Sequence, residues 1–176
     1  LKHKNKFQSK VNFIDWNATD IELLKNIDAV IKLSGESVAQ LWTKSVKNRI
    51  LNSRIDLSKK LLDFLNRNQI NSNLLINASA IGFYSKKEMN SNDVVDEYSN
   101  SGDSFLSKVC RLNEESCKIF DQENMRVVHL RIGMVLTHNF SLLIGLSSLF
   151  SIPIPGAKNY YFRWVHLEDV VGFIDH

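Results

Sequence analysis

The chain has 176 residues, of which 44% are hydrophobic and 23% are charged, and this is the composition of one globular domain or of part of a larger one. The net charge of +3 is too small to indicate a nucleic-acid partner. Two cysteines exclude a disulfide framework and favour a reducing compartment, the cytoplasm, and no apolar run is long enough to predict a membrane span.

Apolar runs alternate with helical stretches along the chain. Short runs typical of β-strands occur at 11–14, 28–34, 73–79, 126–135 and 162–166. Helical spacing of apolar residues occurs between them, at 20–26, 38–68, 104–122, 140–150 and 167–174. The stretch at 38–68 exceeds a usual globular helix, so we expect one break inside it. The polar segment 86–102 predicts a loop, and Pro153 and Pro155 predict a turn.

This alternation of strands and helices predicts βαβ units and an α/β fold with a mostly parallel sheet. Ligands of such sheets bind beyond the carboxyl ends of the strands. Three predicted strands end in glycine or small residues that allow close approach, at Leu33-Ser34-Gly35, Ala78-Ser79-Ala80 and 132–135. We therefore expect binding residues at these three places.

The glycines are too far apart to form a phosphate-binding loop. No two of the 7 lie closer than 11 residues, whereas such loops need glycines about two to five positions apart to turn tightly against a phosphate. The sequence therefore carries neither a dinucleotide-binding fingerprint nor a P-loop.

Six segments resemble, in the correct order, the motifs of one enzyme superfamily. They are DAVIKLSGES at 28–37, WTKSVKNRILNSRI at 42–55, LINASAIGFY at 75–84, GDSFLSKVCRLNEE at 102–115, LRIGMVL at 130–136 and FRWVHLEDVV at 162–171. Together they resemble the extended short-chain dehydrogenase/reductases of the NAD-dependent epimerase/dehydratase type. The closest match is an atypical epimerase subgroup that includes bacterial proteins and eukaryotic relatives.

The resemblance implies a Rossmann-like, mostly parallel, doubly wound sheet with flanking helices. Members of the superfamily begin with a strand, a glycine-rich turn and a helix that seat the cofactor pyrophosphate, and these motifs are not found here. The resemblance therefore implies an incomplete fold without its first βαβ unit. Residues 1–176 are expected to form a partial NAD(P)-binding domain, with the start of a small substrate-side region at about 136–166.

The resemblance also implies a nicotinamide cofactor, NAD or NADP, bound weakly or not at all by this chain alone. A complementary N-terminal chain is the partner that it implies, and the small-molecule substrate stays open. The residues expected at the cofactor are those of the three strand ends, namely Leu33, Ser34, Gly35, Ala78, Ile132, Gly133 and Val135.

The catalytic residues implied by the resemblance are incomplete. Members usually combine a Ser or Thr with Tyr-x-x-x-Lys on a helix, where the tyrosine moves the proton and the lysine lowers its pKa. Ser79 matches the serine, but Leu106 and Cys110 stand at the tyrosine and lysine positions if Glu114 marks the register, as in the subgroup itself. Tyr84, in the loop after Ser79, is the candidate replacement donor, with loop packing as the alternative.

Other candidate residues lie toward the C-terminus. Arg163 and His166 are candidate substrate contacts, with a surface ion pair and a structural role as their alternatives. Arg131 needs a partner if it is buried, and Glu97 in the preceding loop is a candidate. The five histidines show no metal-ligand spacing, so we expect no metal site.

Three functions remain open from the sequence. The first is a fragment of a nicotinamide-dependent epimerase or oxidoreductase that is inactive alone. The second is a binding or regulatory module that keeps the fold without turnover, which the absent Tyr-x-x-x-Lys favours. The third is a decayed gene product without activity.

Overall fold

The computed structural model of the protein describes residues 11–19, 21–85, 95–137 and 163–176. The helices and strands of these ranges, in chain order, are β1 (Val30–Lys32), α1 (Lys44–Arg67), β2 (Leu74–Ala80), α2 (Phe105–Glu115), β3 (Arg126–Ile132), β4 (Met134–Leu136), β5 (Trp164–His166) and α3 (Leu167–Asp175). Short 3-10 turns lie at Glu22–Leu24, Ile81–Phe83 and Lys118–Glu123.

Three parallel strands form the central sheet in the order β1-β2-β3. Helix α1 connects β1 to β2 and helix α2 connects β2 to β3, and the two helices contact each other beside the sheet. This arrangement confirms the predicted α/β fold with a Rossmann-like parallel sheet and flanking helices. Strands β4 and β5 form a separate parallel pair.

The helix-facing side of the sheet changes from apolar to polar toward the carboxyl ends of its strands. Val30, Leu75 and Val127 lie in register across the sheet and pack in the main hydrophobic core, which also contains Phe64 and Phe120. Because side chains alternate along a strand, the next positions facing the helices are two residues further on. They are polar, and they are Lys32, Asn77 and His129, followed by Ser79 and Arg131.

Helix α1 is continuous over its 24 residues, so the predicted break is wrong. The helix begins later than predicted because Thr43 caps it: the Thr43 side chain accepts a hydrogen bond of 3.3 Å from the Val46 amide. Ile50, Phe64 and Leu65 keep one side of the helix buried over its whole length, so the apolar stripe needs no kink.

Several other boundaries differ from the predictions. Residues 11–14 form no strand, and Ile14 instead packs against the hydrophobic core. The described part of 20–26 is a single 3-10 turn. Helix α2 ends at Glu115, and the following 3-10 turn ends at Asn124, whose φ of 57° is left-handed.

The predicted strand at 126–135 is split at Gly133. Strand β3 pairs with β2 as far as Ile132, whereas β4 pairs with β5. A Cβ atom at Gly133 would lie 2.9 Å from the Arg163 carbonyl oxygen, so glycine allows the chain to change sheets at this point. The predicted helix at 140–150, the turn at Pro153 and Pro155 and most of the predicted substrate-side region lie outside the described residues.

Candidate active-site cleft

A cleft of about 640 Å³ lies at the carboxyl ends of the three central strands. This volume is in the range of small-molecule sites, about 300–1,000 Å³. Its walls come from the loops after β1, β2 and β3, from α1 and α2, and from the segment before β5. The lining residues are Leu33, Ser34, Val38, Arg54, 78–82, Leu106, Val109, Cys110, Asn113, 132–134 and Arg163.

The structure brings most of the predicted cofactor residues together in this cleft. Leu33, Ser34, Ala78, Ile132 and Gly133 all line it. The other two predicted residues, Gly35 and Val135, do not line it. Gly35 instead leaves room for the Arg54 guanidinium, since a Cβ at this position would lie 2.7 Å from Arg54 Cζ. Val135 lies in strand β4.

Ser79 lines the cleft at the end of β2, and its hydroxyl is oriented by a carboxylate. Ser79 Oγ donates a hydrogen bond of 2.6 Å to Glu114 Oε1 on helix α2. The serine proton is therefore directed toward α2, whereas lone pairs of the oxygen remain as acceptors for a hydroxyl group of a ligand. Ser79 thus lies at the carboxyl end of its strand, as the sequence predicted. Its hydrogen bond to Glu114 was not predicted from the sequence.

Glu114 forms a two-point ion pair with Arg131 on β3. Arg131 Nε donates to Glu114 Oε1 at 3.0 Å and Nη2 donates to Oε2 at 2.9 Å, with the two side chains 10% and 19% exposed. The Glu114 carboxylate raises the pKa of Arg131 further above its ordinary value. The predicted pairing with the Glu97 carboxylate is wrong, because Glu97 accepts from Arg131 only through its main-chain oxygen, at 3.2 Å.

Tyr84 is joined to the same ion pair. Arg131 Nη1 donates a hydrogen bond of 2.9 Å to the Tyr84 hydroxyl, and the guanidinium lies 3.6 Å from the centre of the Phe83 ring. The Tyr84 oxygen therefore accepts, and its proton remains available for donation. The two predicted catalytic hydroxyls, Ser79 and Tyr84, are thus linked through Glu114 and Arg131, although Tyr84 itself does not line the cleft.

Helix α2 presents neither tyrosine nor lysine to the cleft. Leu106 and Cys110, which stand at those positions of the motif, both line it. Burial raises the pKa of the Cys110 thiol, so the group is neutral near pH 7. Cys110 and Cys117 are both buried and form no disulfide. At these two positions the helix therefore supplies packing side chains, whereas the Tyr-x-x-x-Lys motif would supply a proton donor and a cation.

The two candidate substrate residues have different positions. Arg163 lines the cleft. His166 ends β5 and caps α3, where its Nδ1 accepts a hydrogen bond of 3.3 Å from the Glu168 amide. His166 does not line the cleft, so the structure gives it a local role at the start of a helix.

Two cationic side chains near the cleft are absent from the sequence-based predictions. Lys32 on β1 is buried and donates to Ser58 Oγ at 2.7 Å and to Asn113 Oδ1 at 2.9 Å. Arg54 on α1 lines the cleft itself. The available signal was positional, because Lys32 lies in the family-like segment at 28–37 and Arg54 lies in the one at 42–55.

Two kinds of feature are absent from the described residues. Neither α1 nor any other helix in these ranges is long and apolar enough to cross a membrane. Within the same ranges, no group of three or more His, Cys, Asp or Glu side chains is placed to hold a metal ion.

Comparison with known proteins gives several significant relatives, although no protein-family profile matches the sequence. An epimerase family protein of Mycobacterium bovis is 33% identical over 166 residues, which is 90% of this chain and 54% of the relative. A chloroplast epimerase family protein of Arabidopsis thaliana is 30% identical over 83% of this chain and 42% of its own length. One from Staphylococcus saprophyticus is 29% identical over 95% and 57%.

The chain belongs to the epimerase family. Solved structures agree with this assignment: a nucleoside-diphosphate sugar epimerase of Corynebacterium glutamicum superimposes with a TM-score of 0.68 at 29% identity, covering 87% of this chain and 32% of that protein. Human epimerase family protein SDR39U1, solved with NADPH, shares the fold with a TM-score of 0.70 at 22% identity, covering 86% and 52%. The chain spans about half the length of the curated relatives that it matches.

Proposed function

We propose that this chain forms the nicotinamide side of an NAD(P)-dependent epimerase or oxidoreductase site. The observation that carries the proposal is the cleft at the carboxyl ends of β1, β2 and β3, which places Ser79 beside an opening of about 640 Å³. This is the position at which open parallel sheets bind ligands. Family membership supplies the class of reaction, and the placement of Ser79 supplies its site.

The lining of the cleft suits a partly apolar group such as nicotinamide. Small residues, Ala78, Ala80, Gly82 and Gly133, form much of the wall, so main chain and methyl groups approach the opening closely. We propose that Leu33, Ser34, Ala78, Ile132 and Gly133 hold the cofactor here, with Gly35 and Val135 contributing indirectly. When bound, the cofactor accepts or supplies the hydride.

The protein's own part of the chemistry is to position a substrate oxygen and move its proton. Ser79 Oγ, whose proton Glu114 holds in this structure, accepts a hydrogen bond from a substrate hydroxyl, and the same proton turns toward the oxygen of a carbonyl substrate. The Tyr84 proton is available because Arg131 occupies a lone pair of its oxygen, and we propose Tyr84 as the donor. Arg163 would contact the substrate from the wall of the cleft, whereas His166, which caps α3, would contribute indirectly.

We propose that catalysis requires a further structural unit, either in a longer form of this chain or as a separate N-terminal chain. Among the described residues, β1 pairs only with β2, so its other edge has main-chain groups available for another parallel strand. The 176 residues contain no glycine-rich phosphate loop. A strand, glycine-rich turn and helix would add both features and make the chain active. A cytoplasmic location stays a prediction.

A binding or regulatory module without turnover is the second candidate. Leu106 and Cys110 favour it. Leu106 has no proton to transfer where ordinary members have the tyrosine, and the neutral Cys110 thiol cannot supply the positive charge of the lysine. Such a module would bind a nucleotide in the same cleft and leave it unchanged.

The test is single-turnover hydride transfer in a chimera that joins the N-terminal unit of the Staphylococcus saprophyticus relative to this chain. A panel of carbonyl compounds with NADH and NADPH reports oxidation at 340 nm. Transfer that is lost in the Ser79→Ala variant supports the enzyme. A chimera that binds NADPH but transfers hydride to no member of the panel supports the module.

A further inference from the structure

The charged residues that line the cleft are both arginines. Arg54 comes from α1 and Arg163 from the segment before β5, and no carboxylate is among the described lining residues. Glu114 lies nearby, but Arg131 occupies both of its oxygens. The described lining of the cleft is therefore mostly apolar, with two cationic and no anionic side chains.

Arg54 is held firmly at its place in the wall. Its Nη1 donates two hydrogen bonds of 3.0 Å, to the main-chain oxygens of Glu36 and Ile50. Ser53, the preceding residue, accepts from the Glu36 amide at 2.9 Å. The guanidinium lies against Gly35, where a Cβ would be only 2.7 Å from Cζ. Glycine at 35 thus makes the space that the guanidinium occupies.

Arg54 has no ion-pair partner within the described part of the chain. Both of its recorded hydrogen bonds go to uncharged carbonyls, and no carboxylate of the described residues lies within 4.0 Å of it. The nearby Glu36 side chain instead accepts from Gln40 at 2.9 Å and lies 3.9 Å from Arg49. Burial lowers the pKa of Arg54, yet an arginine remains a cation at every physiological pH.

A half-buried guanidinium with uncommitted donors in an apolar cleft is a strong receptor for phosphate. Charge-assisted N–H donors in a fixed fork match two phosphate oxygens, and the surrounding apolar walls strengthen the attraction. The Nε and Nη2 donors of Arg54 have no recorded partner within the described ranges and remain for a ligand. Cys110, on the facing helix, is neutral and cannot compete.

We propose that Arg54 is the phosphate-binding residue of the cleft, acting from α1 where helix α2 offers only the Cys110 thiol. Its ligand is a diphosphate group, and this group belongs either to the nicotinamide cofactor or to a nucleotide-linked substrate. The identity of the ligand rests on the proposed function, whereas the phosphate site does not. Arg54 would thereby supply the positive charge that the helix α2 motif lacks.

The test is titration of the 176-residue chain with inorganic pyrophosphate, followed through the Nε–H signals of ¹⁵N-arginine-labelled protein. We expect the Arg54 signal to shift with saturation in the millimolar range, and Arg54→Met to weaken binding about 10- to 100-fold. Arg54→Lys should keep part of the affinity, because it keeps the charge. Arg49→Met, on the same helix but outside the cleft, is the matched control and should bind pyrophosphate normally.

Because the Arg54 signal is read in the unsubstituted protein, the test does not depend on the variants folding. An Arg54 signal that does not move at 10 mM pyrophosphate, while other signals do, overturns the proposal. Equal weakening by Arg49→Met also overturns it, since that result indicates nonspecific attraction by surface charge.

Three further ligands separate this proposal from the proposed function. If NADH shifts the Arg54 signal and dihydronicotinamide riboside, which has no phosphate, does not, the cofactor is the source of the diphosphate. If UDP-glucose shifts the signal and NADH binds nowhere, the phosphate site stands and the proposed cofactor does not. NADH binding of equal strength to wild type and Arg54→Met, together with no shift of the Arg54 signal by UDP-glucose, overturns the Arg54 proposal alone.

Discussion

Ser79 Oγ and Glu114 Oε1 are 2.6 Å apart, and the same Glu114 oxygen accepts a hydrogen bond from Arg131. One carboxylate therefore joins the end of β2, the end of β3 and helix α2. Removing its charge would leave the Arg131 guanidinium with little compensation in a half-buried position.

We predict that Glu114→Gln lowers the free energy of unfolding by about 2–3 kcal/mol, somewhat less than a fully buried pair because Arg131 is 19% exposed. Urea denaturation measures this change. Glu115→Gln is the control, since Glu115 pairs with Arg111 on the exposed side of the same helix, 3.3 Å apart, and should cost no more than about 0.5 kcal/mol. Equal losses of unfolding free energy in the two variants would show that the Glu114–Arg131 pair stabilises the fold no more than an exposed pair does.

The catalytic assignment predicts unequal effects of two neighbouring truncations. In the chimera with an N-terminal unit, Ser79→Ala should slow hydride transfer by about 100-fold, because the hydroxyl contacts the reacting oxygen. Cys110→Ala removes a neutral thiol and should change the rate less than about threefold. Single-turnover kinetics compare the two variants, and the reverse order of effects would refute the assignment of Ser79.

The parallel sheet is predictable from the sequence because each central strand is an apolar run bounded by polar or small residues. The predicted runs at 28–34, 73–79 and 126–135 overlap β1, β2 and β3. The continuity of α1 is not predictable from length alone, since it depends on the core that Ile50 and Phe64 share with the sheet.

The partner of Arg131 shows where local reasoning fails. Glu97 and Glu114 are separated from Arg131 by 34 and 17 residues, and spacing cannot choose between them. The choice depends on how α2 packs against β2 and β3. Lys32 and Arg54 are missed for a related reason: a cation is ordinarily expected at the surface, and only the packed structure shows one buried and the other in a cleft.

The buried Lys32 predicts a rise in stability at alkaline pH. Burial lowers the pKa of Lys32 in the folded chain below its ordinary value of 10.5. The unfolded chain therefore holds the Lys32 proton more tightly than the folded chain does. Between the two pKa values the unfolded state binds more protons, and the free energy of unfolding increases with pH, by at most about 1.4 kcal/mol per unit. This contribution ends near pH 10.5.

Urea denaturation of wild type and Lys32→Met between pH 8 and 10.5 measures this effect as the difference between two slopes. The variant should show a flatter dependence than wild type. Lys108→Met, at an exposed position of α2, should leave the slope unchanged. Identical slopes for wild type and Lys32→Met would contradict the assignment.

The open edge of β1 predicts that the isolated 176-residue chain self-associates. Ile31 on this strand is 45% exposed and Leu33 after it is 68% exposed, next to main-chain groups that can pair with another strand. Ile31→Lys should reduce association in sedimentation velocity, whereas Leu23→Lys, at an equally apolar but distant exposed position, should not. A monodisperse wild-type monomer that melts cooperatively above about 60 °C would refute this prediction.

The central proposal is that the cleft of this chain holds nicotinamide, whereas its 176 residues contain no glycine-rich turn to bind the diphosphate. Calorimetric titration with NADH and NADPH tests it most directly, using the 176-residue chain and the chimera side by side. The account predicts no saturation of the isolated chain below about 1 mM, because backbone N–H groups of a glycine-rich turn normally supply several charge-assisted hydrogen bonds of roughly 1.5–3 kcal/mol each. It predicts micromolar binding by the chimera. Micromolar binding by the isolated chain, or no binding by a folded chimera, would contradict it.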